Sequence, residues 1–279
     1  MDKTVVITGA SGGIGLELAH VFAANGYNLV LIARSKASLD TIKLLLESRN
    51  KVAVKIIVKD LAAPTAAKEV FEECLNDTVE VLVNNAGFGM QGQFVELNYE
   101  EEMNMIRLNV LALTELTHLF ANKLLKQGKK GYILNVASTA AFMPGPLLSV
   151  YYATKAYVLS FSEALHVELK DKGIVISVLC PGATATDFAR RAGMLKTKLF
   201  KNGIVMDAKT VAKIAYKGLM AGKRVIVPGL VNKILVSSVN FAPRTLLLKT
   251  VRMLQETKSS CPYFFIAYLF VYTPFLFPW

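Results

Sequence analysis

Cysteine is scarce. Cys74, Cys180 and Cys261 lie far apart in 279 residues. They form neither a disulfide framework nor a metal-ligand spacing. A reducing, cytoplasmic compartment and no metal are expected. No leader pattern opens the chain: Met1-Asp2-Lys3-Thr4 runs directly into a strand, so no signal peptide is expected. Charged residues make up only 19% against 53% hydrophobic, which leaves material for a substantial core. Acids are nearly missing from residues 190–258, where 15 Lys and Arg face only Asp207 and Glu256. The rest of the chain holds 17 basic and 19 acidic residues, so the whole basic excess sits in the last third. An anionic membrane surface or an anionic substrate would suit it. No nucleic-acid motif accompanies it, so nucleic acid is not an expected partner.

Residues 262–279 lack charge altogether and hold 9 of the 26 aromatic residues. Pro262, Pro274 and Pro278 leave only 263–273 as an uninterrupted helix candidate. Eleven residues rise about 17 Å, short of the roughly 30 Å hydrocarbon core. The tail is therefore expected to touch a membrane surface or a neighbouring subunit without spanning a bilayer. Three segments follow: a catalytic domain over 1–230, a basic helical extension over 231–258 and an apolar tail over 259–279. No internal linker or short-period repeat interrupts them.

What is present is an alternation of strands and helices. Strand patterns fall at 4–8, 28–33, 52–58, 79–83, 131–136, 174–179 and 224–227. Helical patterns fall between them, near 14–25, 36–49, 65–75, 100–127, 149–170, 188–198 and 208–221. This order predicts an α/β fold, a Rossmann-type doubly wound parallel sheet in a single domain. Ligands in such sheets sit beyond the strand C-terminal ends. The turn Gly9-Ala10-Ser11-Gly12-Gly13-Ile14-Gly15 joins the first strand to a helix. Glycines there let the backbone approach a pyrophosphate at the helix N-terminus. The second strand ends in Arg34, where an acid would bind the adenosine ribose and repel a 2′-phosphate. Arg34 can instead meet that phosphate with charge-assisted bonds. Asp60 and Leu61 end the third strand at the edge where an adenine ring would lie.

The pair Tyr151 and Lys155 shares one helix face, one turn apart. A nearby ammonium favours a phenolate and pulls its pKa down from ~10, so such a tyrosine can exchange a proton with a carbonyl or alcohol. Asn109 lies inside a long helix between apolar neighbours, and Ser138 ends the fifth strand.

Together these residues resemble the short-chain dehydrogenase/reductase family over residues 3–230. The resemblance rests on Gly9, Gly13 and Gly15, the turn Asn84-Asn85-Ala86-Gly87, Asn109, Ser138, Tyr151, Lys155 and Pro181-Gly182. The C-terminal portion, with Gly222-Lys223 and Pro243-Arg244, resembles a bacterial subgroup that includes relatives of acyl-ketone and hydroxysteroid reductases. The resemblance implies that Tyr151 is the acid/base, that Lys155 lowers its pKa and binds the nicotinamide ribose, and that Ser138 orients the carbonyl. Asn109 would hold a proton-relaying water behind Lys155. Gly9, Ser11, Gly13, Ile14 and Gly15 would line the cofactor loop, and Asp60, Leu61 and Asn85 the adenosine half. Pro181, Gly182 and Thr186 would border the nicotinamide end. Dimers or tetramers formed through helices 100–127 and 149–170 are also implied.

Phe88, Met90, Phe94, Phe142, Met143, Leu147 and Leu148 fall on loops near the tyrosine and suggest an apolar carbonyl or alcohol substrate. The reading is an NADP(H)-dependent oxidoreductase, with NAD(H) the less favoured cofactor. A non-catalytic NADP(H)-binding regulator and a lipid-modifying reductase peripheral to a membrane are the alternatives.

Overall fold

The computed structural model describes residues 3–128, 130–202 and 205–256. The expected tail and Cys261 lie outside the described residues. The strands are, in chain order, β1 (Thr4–Thr8), β2 (Asn28–Ala33), β3 (Val54–Val58), β4 (Val79–Asn84), β5 (Gly131–Val136), β6 (Ile174–Leu179), β7 (Thr184–Ala185), β8 (Met206–Asp207) and β9 (Val225–Ile226). Seven of them form one sheet in the order β3-β2-β1-β4-β5-β6-β9. Every neighbouring pair in it is parallel. β7 and β8 make a separate two-stranded ribbon.

All five residues of β1 are buried, as a strand covered by helices on both faces requires. Its side chains alternate between faces. Val5 and Ile7 enter one core cluster and Val6 the other. The first cluster takes in α1 (Gly13–Ala24), α2 (Lys36–Arg49) and α9 (Ala208–Met220); the second takes in α3 (Ala66–Glu73), α5 (Leu113–Gln127) and α6 (Ser149–Lys170). This is the expected doubly wound single domain. Strand order reverses between β1 and β4, and that switch point opens the crevice that holds the candidate site.

Two helices differ from expectation. The helix anticipated over 100–127 is α4 (Tyr99–Ile106), a π-helical segment (Arg107–Ala112) and then α5. The widened turns surround Asn109, and π segments recur where a helix must present a functional side chain. The helix anticipated over 188–198 is broken into α7 (Phe188–Arg191), a 3₁₀ turn (Met194–Lys196) and α8 (Lys198–Asn202). Gly193, at φ 74°, takes the left-handed conformation that ends α7. Beyond β9 come α10 (Leu230–Ser238) and α11 (Arg244–Gln255). Val251 of α11 is buried in the cluster that contains Tyr151, so this helix packs over the crevice.

Candidate active site

One crevice, with a cavity volume of about 320 Å³, runs from the glycine turn to Tyr151. Its floor is set by close backbone packing. A Cβ at Gly15 would lie 2.4 Å from the Gly9 carbonyl oxygen. Gly9 sits at φ 66°, where a Cβ would meet the Ala86 backbone at 2.9 Å. Only glycine fits these positions without displacing backbone. Gly12 caps α1 without a side chain, so the first-turn N–H groups have no side-chain acceptor and could take an anion; Gly12, Gly13 and Ile14 line the crevice. Asn85, expected beside the adenosine, spends its amide on the turn itself. Its Nδ2 donates to the carbonyls of Thr8 (3.0 Å) and Gly9 (3.1 Å). Thr8 Oγ1 in turn accepts from the N–H groups of Asn85 and Ala86 at 3.0 Å each. Asn84 points away from the crevice, into a buried network with Thr117 and Asn135.

At the other end, β5 delivers Ser138. Its Oγ accepts from the N–H of Ala140 at 3.1 Å and so caps a 3₁₀ turn (Thr139–Phe142). It also donates to the Pro181 carbonyl at 3.4 Å, which joins Pro181 to the Tyr151 end of the crevice. Tyr151 and Lys155 are both buried on α6. Lys155 Nζ donates to the Val136 carbonyl at 2.8 Å and lies 5.8 Å from the Tyr151 ring centroid. Asn109 accepts at Oδ1 from the N–H of Phe88 (3.1 Å) and donates through Nδ2 to the Phe88 carbonyl (2.9 Å) and Thr154 Oγ1 (3.1 Å). It therefore ties the Phe88 loop to α6. Gly87 leaves space beside both Asn109 and Lys155: a Cβ there would lie 2.9 Å from Asn109 Oδ1 and 3.5 Å from Lys155 Nζ.

The electrostatics differ from the expected tuning. Burial pushes the Tyr151 phenol above its ordinary range; the Ser138 hydroxyl beside it offsets part of this. Burial also pushes Lys155 down to about 8. Desolvation disfavours both charged forms, and it outweighs any lowering of Tyr151 by Lys155 at this separation. The phenol is thus held protonated at neutral pH, which suits a proton donor.

The end of the crevice expected to take the adenosine is open. Arg34 and Asp60 face each other across it at 3.9 Å, both largely exposed, so this ion pair is weak. Lys59 also lines this end and is paired with Glu69 at 2.6 Å. Leu61 lines the crevice and packs into the core beneath it. Thr186 stands over Gly13, where a Cβ would meet its side chain at 3.0 Å. Gly182 lies against Asn232 of α10, with 2.5 Å from a would-be Cβ to the Asn232 side chain.

The apolar wall is only partly the one expected. Phe88, Met90, Met143 and Leu148 pack in the cluster around Tyr151. Phe142 belongs instead to a cluster behind β5 and β6. Phe94 is 60% exposed and lines nothing there. Leu147 takes φ 68°, the one non-glycine positive φ among the described residues, and its carbonyl accepts from the N–H of Gly92 at 2.9 Å. Phe188, Met194, Leu199 and Phe200 complete the wall.

Gln255 closes this end and was not anticipated. It is buried, its Nε2 donates to Tyr152 Oη at 2.9 Å, and its carbonyl accepts from Gln91 Nε2 at 3.1 Å. Its Oε1 is buried without a partner. The signal was the spacing Leu247, Val251, Gln255, an apolar helix stripe that ends in one amide.

The family model for short chain dehydrogenases matches residues 3–197. The chain belongs to the short-chain dehydrogenase/reductase family, oxidoreductases that act on CH–OH and C=O groups. It is 36% identical over 202 residues to mouse 17-beta-hydroxysteroid dehydrogenase type 3, a match covering 71% of this chain and 65% of the relative. It is 34% identical over 194 residues to zebrafish very-long-chain 3-oxoacyl-CoA reductase-B, covering 68% and 62%. The match thus spans less than two thirds of these relatives. Among solved structures, a short-chain dehydrogenase from Sphingobium yanoikuyae in complex with NADPH superposes with a TM-score of 0.78 at 34% identity, covering 92% of this chain and 98% of that one. A bulky-bulky ketone specific alcohol dehydrogenase from Comamonas testosteroni gives 0.73 at 32% identity, covering 85% and 92%.

Proposed function

We propose that the protein is an NADP(H)-dependent reductase of an apolar ketone or aldehyde, able to run in reverse on the alcohol. The observation that carries this reading is the placement of Ser138, Tyr151 and Lys155 at one end of a crevice whose other end is an uncapped helix N-terminus. The Cβ-free surface at Gly9 and Gly13, with the open N–H groups of α1, fits a dinucleotide pyrophosphate. Gly9, Ser11, Gly13 and Ile14 would hold it through backbone, Arg34 and Lys59 would face a 2′-phosphate, and Asp60 and Leu61 would flank the adenine. Lys155 and Thr186 would hold the nicotinamide end. When bound, NADP(H) supplies the hydride.

The protein's own residues do the rest. Ser138 Oγ orients the substrate carbonyl. Tyr151 gives its phenolic proton to the carbonyl oxygen as that oxygen gains charge. Lys155 stabilises the phenolate left behind, and at about 8 its own pKa lies near enough to neutrality for proton exchange. Asn109 fixes the loop that keeps Gly87 against Lys155. The apolar wall from Phe88 to Phe200 favours a ketone with a hydrocarbon body. The resemblance to the Comamonas ketone dehydrogenase supports the same choice. The test is a set of carbonyl compounds, from small ketones to long-chain acyl ketones, followed by NADPH absorbance. Turnover of none of them refutes the reductase reading.

Arg34 is expected to select NADPH. Arg34→Ala should raise the dissociation constant for NADPH by ~10- to 150-fold, the worth of one charge-assisted contact. The constant for NADH should hardly move. Equal losses for both cofactors in a fluorescence titration would show that Arg34 does not read the 2′-phosphate.

Self-association is part of the proposal. The outer faces of the π segment and α6 carry Leu111 (58% exposed) and Val167 (68%). Tyr157 stacks on Phe161 at 5.6 Å beside them. Pairing through these helices would cover that surface. Sedimentation is expected to show a dimer or tetramer; a lone 30.5 kDa species at micromolar concentration contradicts it.

A further inference from the structure

We infer that the outer face of α10, with the turn leading into α11, is a docking surface for an anionic lipid bilayer. No residue of α10 is fully buried. Its inner side, Leu235 and Val236, is half-covered by the fold, and Val239 just beyond is buried. Its outer side carries Leu230 at 73% exposure and Ile234 at 47%, and Phe241 follows in the next turn at 82%. Leu230 and Ile234 lie four apart on α10 and share one face; Phe241 belongs to the turn that follows the helix. Val231 and Leu246 flank these three, both exposed. Single exposed hydrophobics are ordinary, but five between residues 230 and 246 mark an interaction surface.

Charge identifies the occupant. From residue 223 to 252 the chain holds six basic residues and no acid. Arg224 and Arg252 are paired with Glu163 and Glu256. Lys223, Lys233, Arg244 and Lys249 are exposed and have no acidic partner among the described residues. A second copy of the same face would set like charges against one another. Mobile anionic headgroups, in contrast, can gather around lysines while acyl chains take up the aliphatic and aromatic side chains. The contact inferred is lateral, along α10; among the described residues no helix is long and apolar enough to cross a membrane. The charge-free sequence of 262–279 fits the same apolar interface.

The position matters for supply of substrate. Asn232 of α10 packs on Gly182, and α11 brings Val251 and Gln255 to the apolar end of the crevice. The pair of helices that meets the bilayer is the pair that roofs this end. The docking inference itself rests on the surface and not on the reductase reading.

Three full-length proteins test it: wild type, the triple variant Leu230→Ser, Ile234→Ser, Phe241→Ser, and the triple variant Lys233→Gln, Arg244→Gln, Lys249→Gln. Each is sedimented with phosphatidylcholine vesicles, with and without phosphatidylserine. The wild type is expected to pellet with the phosphatidylserine vesicles and much less with neutral ones. Each variant should bind the anionic vesicles at least ~10-fold more weakly. NADPH affinity and circular dichroism should match the wild type, since every altered side chain is exposed. Absence of vesicle binding by the wild type overturns the inference. So does undiminished binding by both variants, which would place the contact elsewhere in the chain. Equal binding to neutral vesicles, or a change of oligomer size in the variants, also overturns it. Turnover of a small water-soluble ketone, read on the same proteins, reports separately on the reductase assignment.

Discussion

Tyr151→Phe is expected to lower kcat by ~10²- to 10⁴-fold, the usual worth of a positioned proton donor. NADPH binding should survive almost unchanged. The substitution keeps the ring and removes only the hydroxyl. The ring contacts that hold residue 151 remain: Phe188 at 5.3 Å and the edge of Tyr152 at 6.1 Å between centroids. What disappears is the one phenolic proton beside Ser138. Tyr152 cannot replace it. Its hydroxyl is engaged by Gln255 at 2.9 Å, and burial holds its pKa up at about 12. Tyr152→Phe is the matched control, since it loses that hydrogen bond and leaves Tyr151 in place. Stopped-flow hydride transfer and a separate NADPH titration distinguish rate from binding. If Tyr151→Phe keeps more than about a tenth of the wild-type rate, Tyr151 is not the acid.

Much of this site could be read from local spacing. Gly9 to Gly15 lie between a strand and a helix, and that context is what suggests a phosphate turn. Tyr151 and Lys155 share a face because an α-helix repeats every 3.6 residues. Ser138 follows from the end of the fifth strand, a short apolar run. Features that depend on contacts across the chain were less legible. The π segment around Asn109 keeps the apolar pattern of an ordinary helix, and only its distant partners, the Phe88 loop and Thr154 of α6, show why Asn109 turns inward. Phe142 and Phe94 have the composition of a substrate wall, but the 3₁₀ turn after Ser138 sends Phe142 behind the sheet. Phe94 stays on the surface. Gln255 meets Tyr152 across 103 residues, a contact that no local period encodes. The same holds for pKa: local spacing places Tyr151 and Lys155 on one helix face, but burial depth sets the direction of both shifts.

That burial makes Lys155 a measurable liability for stability. Its pKa is about 10.5 in an unfolded chain and about 8 in the fold. Between these values the unfolded state holds a proton that the native state has released. Stability rises with pH wherever the unfolded state binds more protons. The cost of burying Lys155 is therefore fully present below pH 8 and is relieved as pH rises toward 10.5. At neutrality the full cost is on the order of 3 kcal/mol, at 1.36 kcal/mol per pKa unit. Lys155→Met removes the charge and keeps a side chain of similar length. It also leaves the Val136 carbonyl without its donor, a loss that does not vary with pH. Tyr152 and Cys180 rise in the fold to about 12 from ordinary values of 10.0 and 9.0, so both lower stability as pH climbs through that interval; they remain in the Met variant, and comparing the two proteins removes most of their contribution. Urea unfolding of the two proteins at pH 7 and pH 9.5 isolates the lysine. The wild type is expected to gain about 2 kcal/mol relative to the Met variant over that interval. The Met variant should also lose turnover and bind NADPH more weakly. The same stability difference at both pH values would show that Lys155 keeps its ordinary pKa in the fold, and with it would fall the argument that this amine exchanges protons near neutrality.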